Sequence, residues 1–107
     1  MLQLTANDFD SEIYASTSPA IVMFYADWCN KCAMMKPIFD ELEKKYRSQI
    51  KFCKVNVDEA TALAAKYETE IIPAFLFFDN GQLEAFFSGI IDESVFTSRI
   101  NKIFRIC

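Results

Sequence analysis

At 107 residues, with 52% hydrophobic residues and eleven phenylalanines, the chain can bury one core without structural disulfides or a metal. Its net charge of −4 argues against a nucleic-acid partner, because nucleic acid selects basic surfaces. The sequence contains no histidine, which removes histidine-based catalysis and most zinc sites. We therefore expect a single domain over residues 1–107.

The first quarter of the chain predicts a short edge strand, a helix and a buried strand. Residues 3–5 form the candidate edge strand, and Asn7–Asp8 offers an N-cap for a helix with Phe9 and Ile13 on one face. The run Ala20–Tyr25 is continuously apolar, which is typical of a strand covered on both faces.

The segment Trp28-Cys29-Asn30-Lys31-Cys32 lies where this strand ends and the next helix begins. The first turn of a helix has free N–H groups and the positive end of the dipole, which together stabilise a thiolate. A second thiol three residues later lies one turn deeper, within reach of the first sulfur. This arrangement indicates a reversible dithiol–disulfide couple.

The other two cysteines give no support to a metal site. The alternatives for the cysteine pair are half of a zinc site or two incidental core residues. A structural zinc normally needs a second pair of ligands, whereas Cys53 and Cys107 are single and far apart in sequence. We expect no metal and an inert, buried Cys53. Cys107 is predicted on an apolar stripe, with a regulatory disulfide or glutathione adduct as the alternative.

The helix after the motif shows an apolar repeat of four residues. Met34, Ile38, Leu42 and Tyr46 are predicted to face the core, and Pro37 is predicted to kink the helix.

The second half alternates strands and helices before it closes with a hairpin. Asn80-Gly81 is the hairpin turn signal, and Asp92 is a candidate cap for the last helix. This alternation of strands and helices, followed by the hairpin, predicts an α/β fold with a mixed central β-sheet flanked by helices on both faces. The predicted elements are a strand at 50–57, a helix at 59–67, strands at 74–78 and 83–88, and a last helix with the stripe Phe96, Ile100, Ile103, Phe104 and Cys107.

The chain resembles the thioredoxin family over nearly its whole length. The resemblance implies a thioredoxin fold and protein-disulfide reductase activity, with Cys29 as nucleophile and Cys32 as resolving thiol. It also implies a docking face for substrates, formed by Trp28, Ile72, Pro73 and Gly89, with Pro73 in a cis peptide, whereas the sequence alone favours trans. The matching residues are Trp28-Cys29-x-x-Cys32, Pro37, Lys54-x-Asn56-x-Asp58, Ile72-Pro73, Asn80-Gly81 and Gly89.

Several positions depart from the family pattern and are predicted to tune the redox couple. Asn30-Lys31 replaces the usual Gly-Pro pair, and Met23 replaces a buried aspartate. The Lys31 cation should favour the Cys29 thiolate and make the couple more oxidising, unless it is a solvated lysine with little effect. Lys54, without that aspartate, should reach solvent or pair with another acid.

The partners follow from the same resemblance. We expect disulfide-containing client proteins, a thioredoxin reductase and no cofactor beyond the Cys29–Cys32 disulfide, in a monomer.

No basic residue precedes Lys31, so no secretory signal is visible, and the longest apolar run, Ile71–Phe78, is too short to span a membrane. We expect a cytoplasmic protein. The alternative function is a thioredoxin-fold redox sensor or protein-binding module with little turnover.

Overall fold

The computed structural model describes residues 1–106, so the prediction for Cys107 lies outside the described residues. Its strands are β1 (Leu2–Leu4), β2 (Ala20–Tyr25), β3 (Lys51–Asn56), β4 (Ala74–Asp79) and β5 (Gln82–Ser88). Its helices are α1 (Asn30–Tyr46), α2 (Thr61–Lys66) and α3 (Glu93–Ile103), and a short π-helical segment spans Asp10–Tyr14. Within residues 1–106, no helix is both long enough and apolar enough to cross a membrane.

The five strands form one mixed sheet in the order β1-β3-β2-β4-β5. Strands β1, β3 and β2 run parallel to one another. Strand β4 is antiparallel to β2, and β5 is antiparallel to β4, to which a hairpin joins it. The central position of β2 explains its sequence, because an inner strand covered on both faces must be apolar throughout. The predicted mixed sheet is therefore confirmed.

Helices cover both faces of the sheet, as predicted. One face packs against α1 and α3, and the other packs against α2 and the π-helical segment. The first core includes Met23, Cys32, Met35, Phe39, Phe75, Phe77 and Phe96. The second core includes Phe9, Ile13, Val22, Phe24, Cys53, Leu63 and Phe78.

Two details of the predicted helices are wrong. Met34 is 58% exposed, and the buried stripe of α1 contains Met35 and Phe39 instead. Apolar residues occupy two overlapping helical faces here, and docking onto the sheet selects one of them. Asn7–Asp8 does not provide the N-cap of the first helical segment, which starts after Phe9 without a side-chain cap; the Asp8 carboxylate accepts the Thr5 N–H at 2.6 Å instead. Phe9 and Ile13 are nevertheless both buried.

The two glycines provide a matched pair of stability tests. Gly81 follows Asn80 in the two-residue hairpin turn, and both residues have positive φ, as a type I′ turn requires. An added Cβ at Gly81 would lie 2.5 Å from the Tyr14 carbonyl oxygen, whereas one at Gly89 meets nothing within 4 Å. We expect Gly81→Ala to lower the free energy of unfolding by more than about 2 kcal/mol and Gly89→Ala by only about 1 kcal/mol. Denaturant melts measure both, and equal losses would contradict the predicted clash.

Candidate active site

Cys29 is the N-cap of α1. Its backbone is extended, with φ −89° and ψ 110°, and its sulfur accepts a hydrogen bond from the Cys32 N–H at 3.2 Å. The side chain thus takes the place that a serine or aspartate oxygen usually holds at a helix start. Negative charge on this sulfur would meet a backbone donor and the positive end of the α1 dipole.

Two hydrogen bonds connect the three loops near Cys29 in series. The Cys29 thiol donates to the Ile72 carbonyl oxygen at 3.8 Å, and the Gly89 N–H donates to the Pro73 carbonyl oxygen at 2.8 Å. The Ile72–Pro73 peptide is cis, as the family resemblance implied. The loops that follow β2 and β5 and the loop that precedes β4 therefore form one continuous surface around the reactive sulfur.

Trp28 directly precedes Cys29 and is 69% exposed. Its indole Nε1–H donates to Asp58 Oδ2 at 2.8 Å, and the Asp58 N–H donates to Asn56 Oδ1 at 2.9 Å. The sequence showed Asp58 only as part of a motif. The structure gives it a role in holding the orientation of the exposed ring.

The docking residues predicted from the sequence do lie together, but their exposure differs. Trp28 is exposed, Ile72 and Gly89 are half-buried, and Pro73 is buried. The sequence reasoning missed two neighbours, Ile71 and Ile90, which are 68% and 48% exposed. Because each of them directly neighbours a predicted docking residue, Ile72 or Gly89, the sequence could have indicated that they belong to the same surface.

Cys32 faces a cavity of about 230 Å³ beneath the active-site surface. Burial, together with the hydrogen bond to Cys29, raises the pKa of Cys32 to about 12. The cavity is lined by Met23 and Phe39 on the apolar side and by Lys36, Asp40 and Lys54 on the polar side. The resolving thiol is thus strongly held in its neutral form.

Met23 and Lys54 are register partners on the neighbouring strands β2 and β3. Met23 is buried, and Lys54 is half-buried with its ammonium 5.7 Å from the centre of the Tyr25 ring. Among residues 1–106 no acid forms an ion pair with Lys54. Of the two alternatives expected for Lys54, solvent or an acid, the structure shows the first: the side chain keeps part of its surface in solvent and lies beside an aromatic face.

The two residues between the cysteines point away from the core. Asn30 and Lys31 are both exposed in the first turn of α1. In the part of the chain that the structure describes, Lys31 forms no ion pair. Its effect on the Cys29 thiolate therefore stays a prediction.

Selective alkylation should identify the nucleophile. We expect iodoacetamide at neutral pH to label Cys29 fast in the reduced, folded protein, and to label Cys32 and Cys53 slowly. Burial raises the pKa of Cys53 to about 12, as it does for Cys32, so both stay neutral until strongly alkaline pH. Peptide mapping in a Cys107→Ser background provides the readout. Equal labelling of Cys29 and Cys53 would contradict the assignment of Cys29 as the nucleophile.

Known proteins are similar to this chain over most of its length. The family model described as Thioredoxin matches residues 1–102. Thioredoxin from Pyropia yezoensis is 34% identical over 100 residues, 94% of each chain. Thioredoxin from Pseudomonas aeruginosa is 31% identical over 94 residues, 88% of this chain and 87% of that protein. Thioredoxin M5, chloroplastic, from Oryza sativa subsp. japonica is 37% identical over 95 residues, 89% of this chain and 55% of that protein. The chain thus spans about half the length of the chloroplastic relatives it matches.

Proposed function

Since this chain belongs to the thioredoxin family, we propose that it is a thiol–disulfide oxidoreductase that reduces disulfides in other proteins. The observation that carries the proposal is Cys29 at the N-cap of α1, with the Cys32 N–H on its sulfur. This geometry supports a thiolate at Cys29 and holds a second thiol one helical turn away. The relatives that match nearly their whole length carry the name thioredoxin.

The first step is attack by the Cys29 thiolate on one sulfur of the client disulfide. A bond forms between that sulfur and Cys29, the client S–S bond breaks, and the other client sulfur leaves as a thiolate. The client segment approaches over Trp28, Ile71 and Ile90. Because the Ile72 carbonyl lies beside the Cys29 sulfur, an extended client strand can pair with the backbone there.

The second step releases the reduced client. Cys32 loses its proton and attacks the Cys29 sulfur, which forms the Cys29–Cys32 disulfide and expels the second client thiolate. Two electrons have then passed from the dithiol to the client. The deprotonation of Cys32 is the demanding event, because burial favours the neutral thiol and Met23 offers no base.

A reductant must then restore the dithiol, and we assign this role to a thioredoxin reductase. No cofactor beyond the Cys29–Cys32 couple enters the cycle. For the compartment we propose the cytoplasm, because its reducing conditions supply the electrons that the cycle consumes.

A second candidate function is a redox sensor or binding module that turns over little. The observation in its favour is the buried Met23 beside Cys32, where the family pattern has a carboxylate. If Cys32 ionises too slowly, mixed disulfides with partners persist and the protein holds them instead of releasing them.

Catalytic reduction of insulin with dithiothreitol separates the two functions. We expect the wild-type protein to accelerate the precipitation of the insulin B chain. Cys29→Ser should abolish the acceleration, and Cys53→Ala serves as a control for a buried thiol outside the couple. If the folded wild-type protein gives no acceleration above dithiothreitol alone, the reductase function is rejected and the redox sensor or binding module remains.

A further inference from the structure

The loops around Cys29 carry an unusual share of the negative charge. We define the docking rim as residues 26–31, 57–60, 70–73 and 89–93. It contains six carboxylates and one cation, Lys31, so its formal charge is −5 and the rest of the chain carries +1 of the net −4. All six carboxylates are exposed, and none forms an ion pair among residues 1–106. They are Asp27, Asp58, Glu59, Glu70, Asp92 and Glu93.

The sheet topology brings these segments to one end of the molecule. Segments 26–31, 57–60 and 89–93 follow the ends of β2, β3 and β5, and segment 70–73 precedes the antiparallel β4. Two hydrogen bonds join the segments directly, from Trp28 to Asp58 and from Gly89 to Pro73. The acids therefore lie at the same end of the molecule as the reactive sulfur.

The docking rim also contains exposed apolar side chains. Trp28, Ile71 and Ile90 are large, exposed residues on the same segments as the acids. A large exposed apolar patch with a polar border is typical of a protein interaction site. The redox pair at its centre means that the occupant must bring a disulfide to Cys29.

Charge complementarity indicates which kind of protein fits this surface. An acidic border attracts cationic partners and repels anionic ones over several ångströms. Each exposed ion pair contributes little by itself, but six carboxylates without ion partners act together on the approach of a client. Their main effect should be on the association rate and on its dependence on salt.

We propose that the preferred clients are proteins whose disulfide lies in an apolar, extended segment flanked by lysine or arginine. The proposal rests on the proposed reductase function, because it names the client class of the same Cys29–Cys32 couple. The apolar residues of the client cover Trp28, Ile71 and Ile90. Its basic residues face Glu70 and Asp92 at the docking rim.

Two matched peptides test the proposal. Each is a disulfide-linked peptide with apolar residues around the bridge, and they differ only in flanking lysines or flanking glutamates. Stopped-flow kinetics measures the second-order rate of oxidation of the reduced protein by each peptide. At low salt we expect the lysine peptide to react roughly tenfold faster or more. In about 0.5 M salt the difference should shrink, because salt screens exposed charges.

Charge-reversed variants test whether the acids of the docking rim cause the preference for the lysine peptide. Glu70→Lys/Asp92→Lys should remove or invert the preference for the lysine peptide. The matched control Glu41→Lys/Glu84→Lys changes the net charge equally at exposed positions outside the docking rim, and it should keep the preference. A control that loses the preference as fully as the rim variant would assign the effect to total charge and overturn the proposal.

The outcomes also separate this proposal from the reductase function. Equal rates for both peptides at low salt would overturn the client class and leave the reductase intact. If neither peptide oxidises the protein, the reductase function fails first, and the client class fails with it.

Discussion

Cys32→Ser is expected to stop turnover and leave Cys29 covalently attached to its clients. The variant keeps the nucleophile at the N-cap of α1, so the first attack still proceeds. A serine hydroxyl cannot expel the client thiolate from a mixed disulfide, so the second step is lost. Steady-state reduction should fall by roughly 10³-fold or more, because the resolving nucleophile forms part of a covalent catalytic unit.

The matched variant is Cys29→Ser. Without the more accessible sulfur at the helix start, it should trap almost no client, although Cys32 remains. Non-reducing gels of both variants after incubation with an oxidised client, followed by mass spectrometry of the adduct, give the readout. If the two variants trap client equally, the roles of nucleophile and resolver are wrong.

Met23→Asp should accelerate the second step by about tenfold or more. Burial, the largest cause of the raised Cys32 pKa, persists in the mixed disulfide, so the attacking thiolate is scarce at pH 7. Met23 lines the same cavity as Cys32, and its thioether cannot accept a proton. A carboxylate there would act as a general base, which typically contributes on the order of 10²-fold or more, and less in a pocket shaped around methionine.

The pH dependence distinguishes a base from a change in packing. In the wild-type protein the decay of a mixed disulfide should speed up about tenfold per pH unit, because the thiolate fraction rises tenfold per unit below the pKa. In Met23→Asp this slope should flatten once the new carboxylate is ionised. Rapid-mixing measurements across about pH 6 to 9 cover both regimes.

Met23→Asn is the matched control, since its amide has a similar size and cannot take up the proton. Both variants should be less stable than the wild type, because a polar group replaces a buried apolar side chain. The loss should be smaller for the aspartate if the neighbouring Lys54 ammonium pairs with it. Denaturant melts check folding. A folded Met23→Asp variant that resolves no faster than Met23→Asn would mean that deprotonation of Cys32 does not limit the rate.

Much of the fold was predictable because local patterns agreed with the tertiary arrangement. The continuous apolar run of β2 indicated an inner strand, and Asn80-Gly81 indicated the hairpin turn. The resemblance to the thioredoxin family is confirmed by the match over residues 1–102. Errors arose where two local choices were nearly equal, as for Met34 and Met35 on α1. Both residues are apolar, and only contact with the sheet decides which one is buried.

By itself, the sequence determined that two thiols lie between a buried strand and the start of a helix. That conclusion needs only spacing and the change of hydrophobic period, which are local properties of the chain. The tertiary structure alone decided what surrounds those thiols. Burial against the sheet raises the pKa of Cys32, the register of β2 and β3 places Lys54 beside Met23, and distant loops bring Asp58 to Trp28. These contacts join residues 30 or more positions apart or depend on solvent exclusion by the whole fold, so no local pattern could specify them.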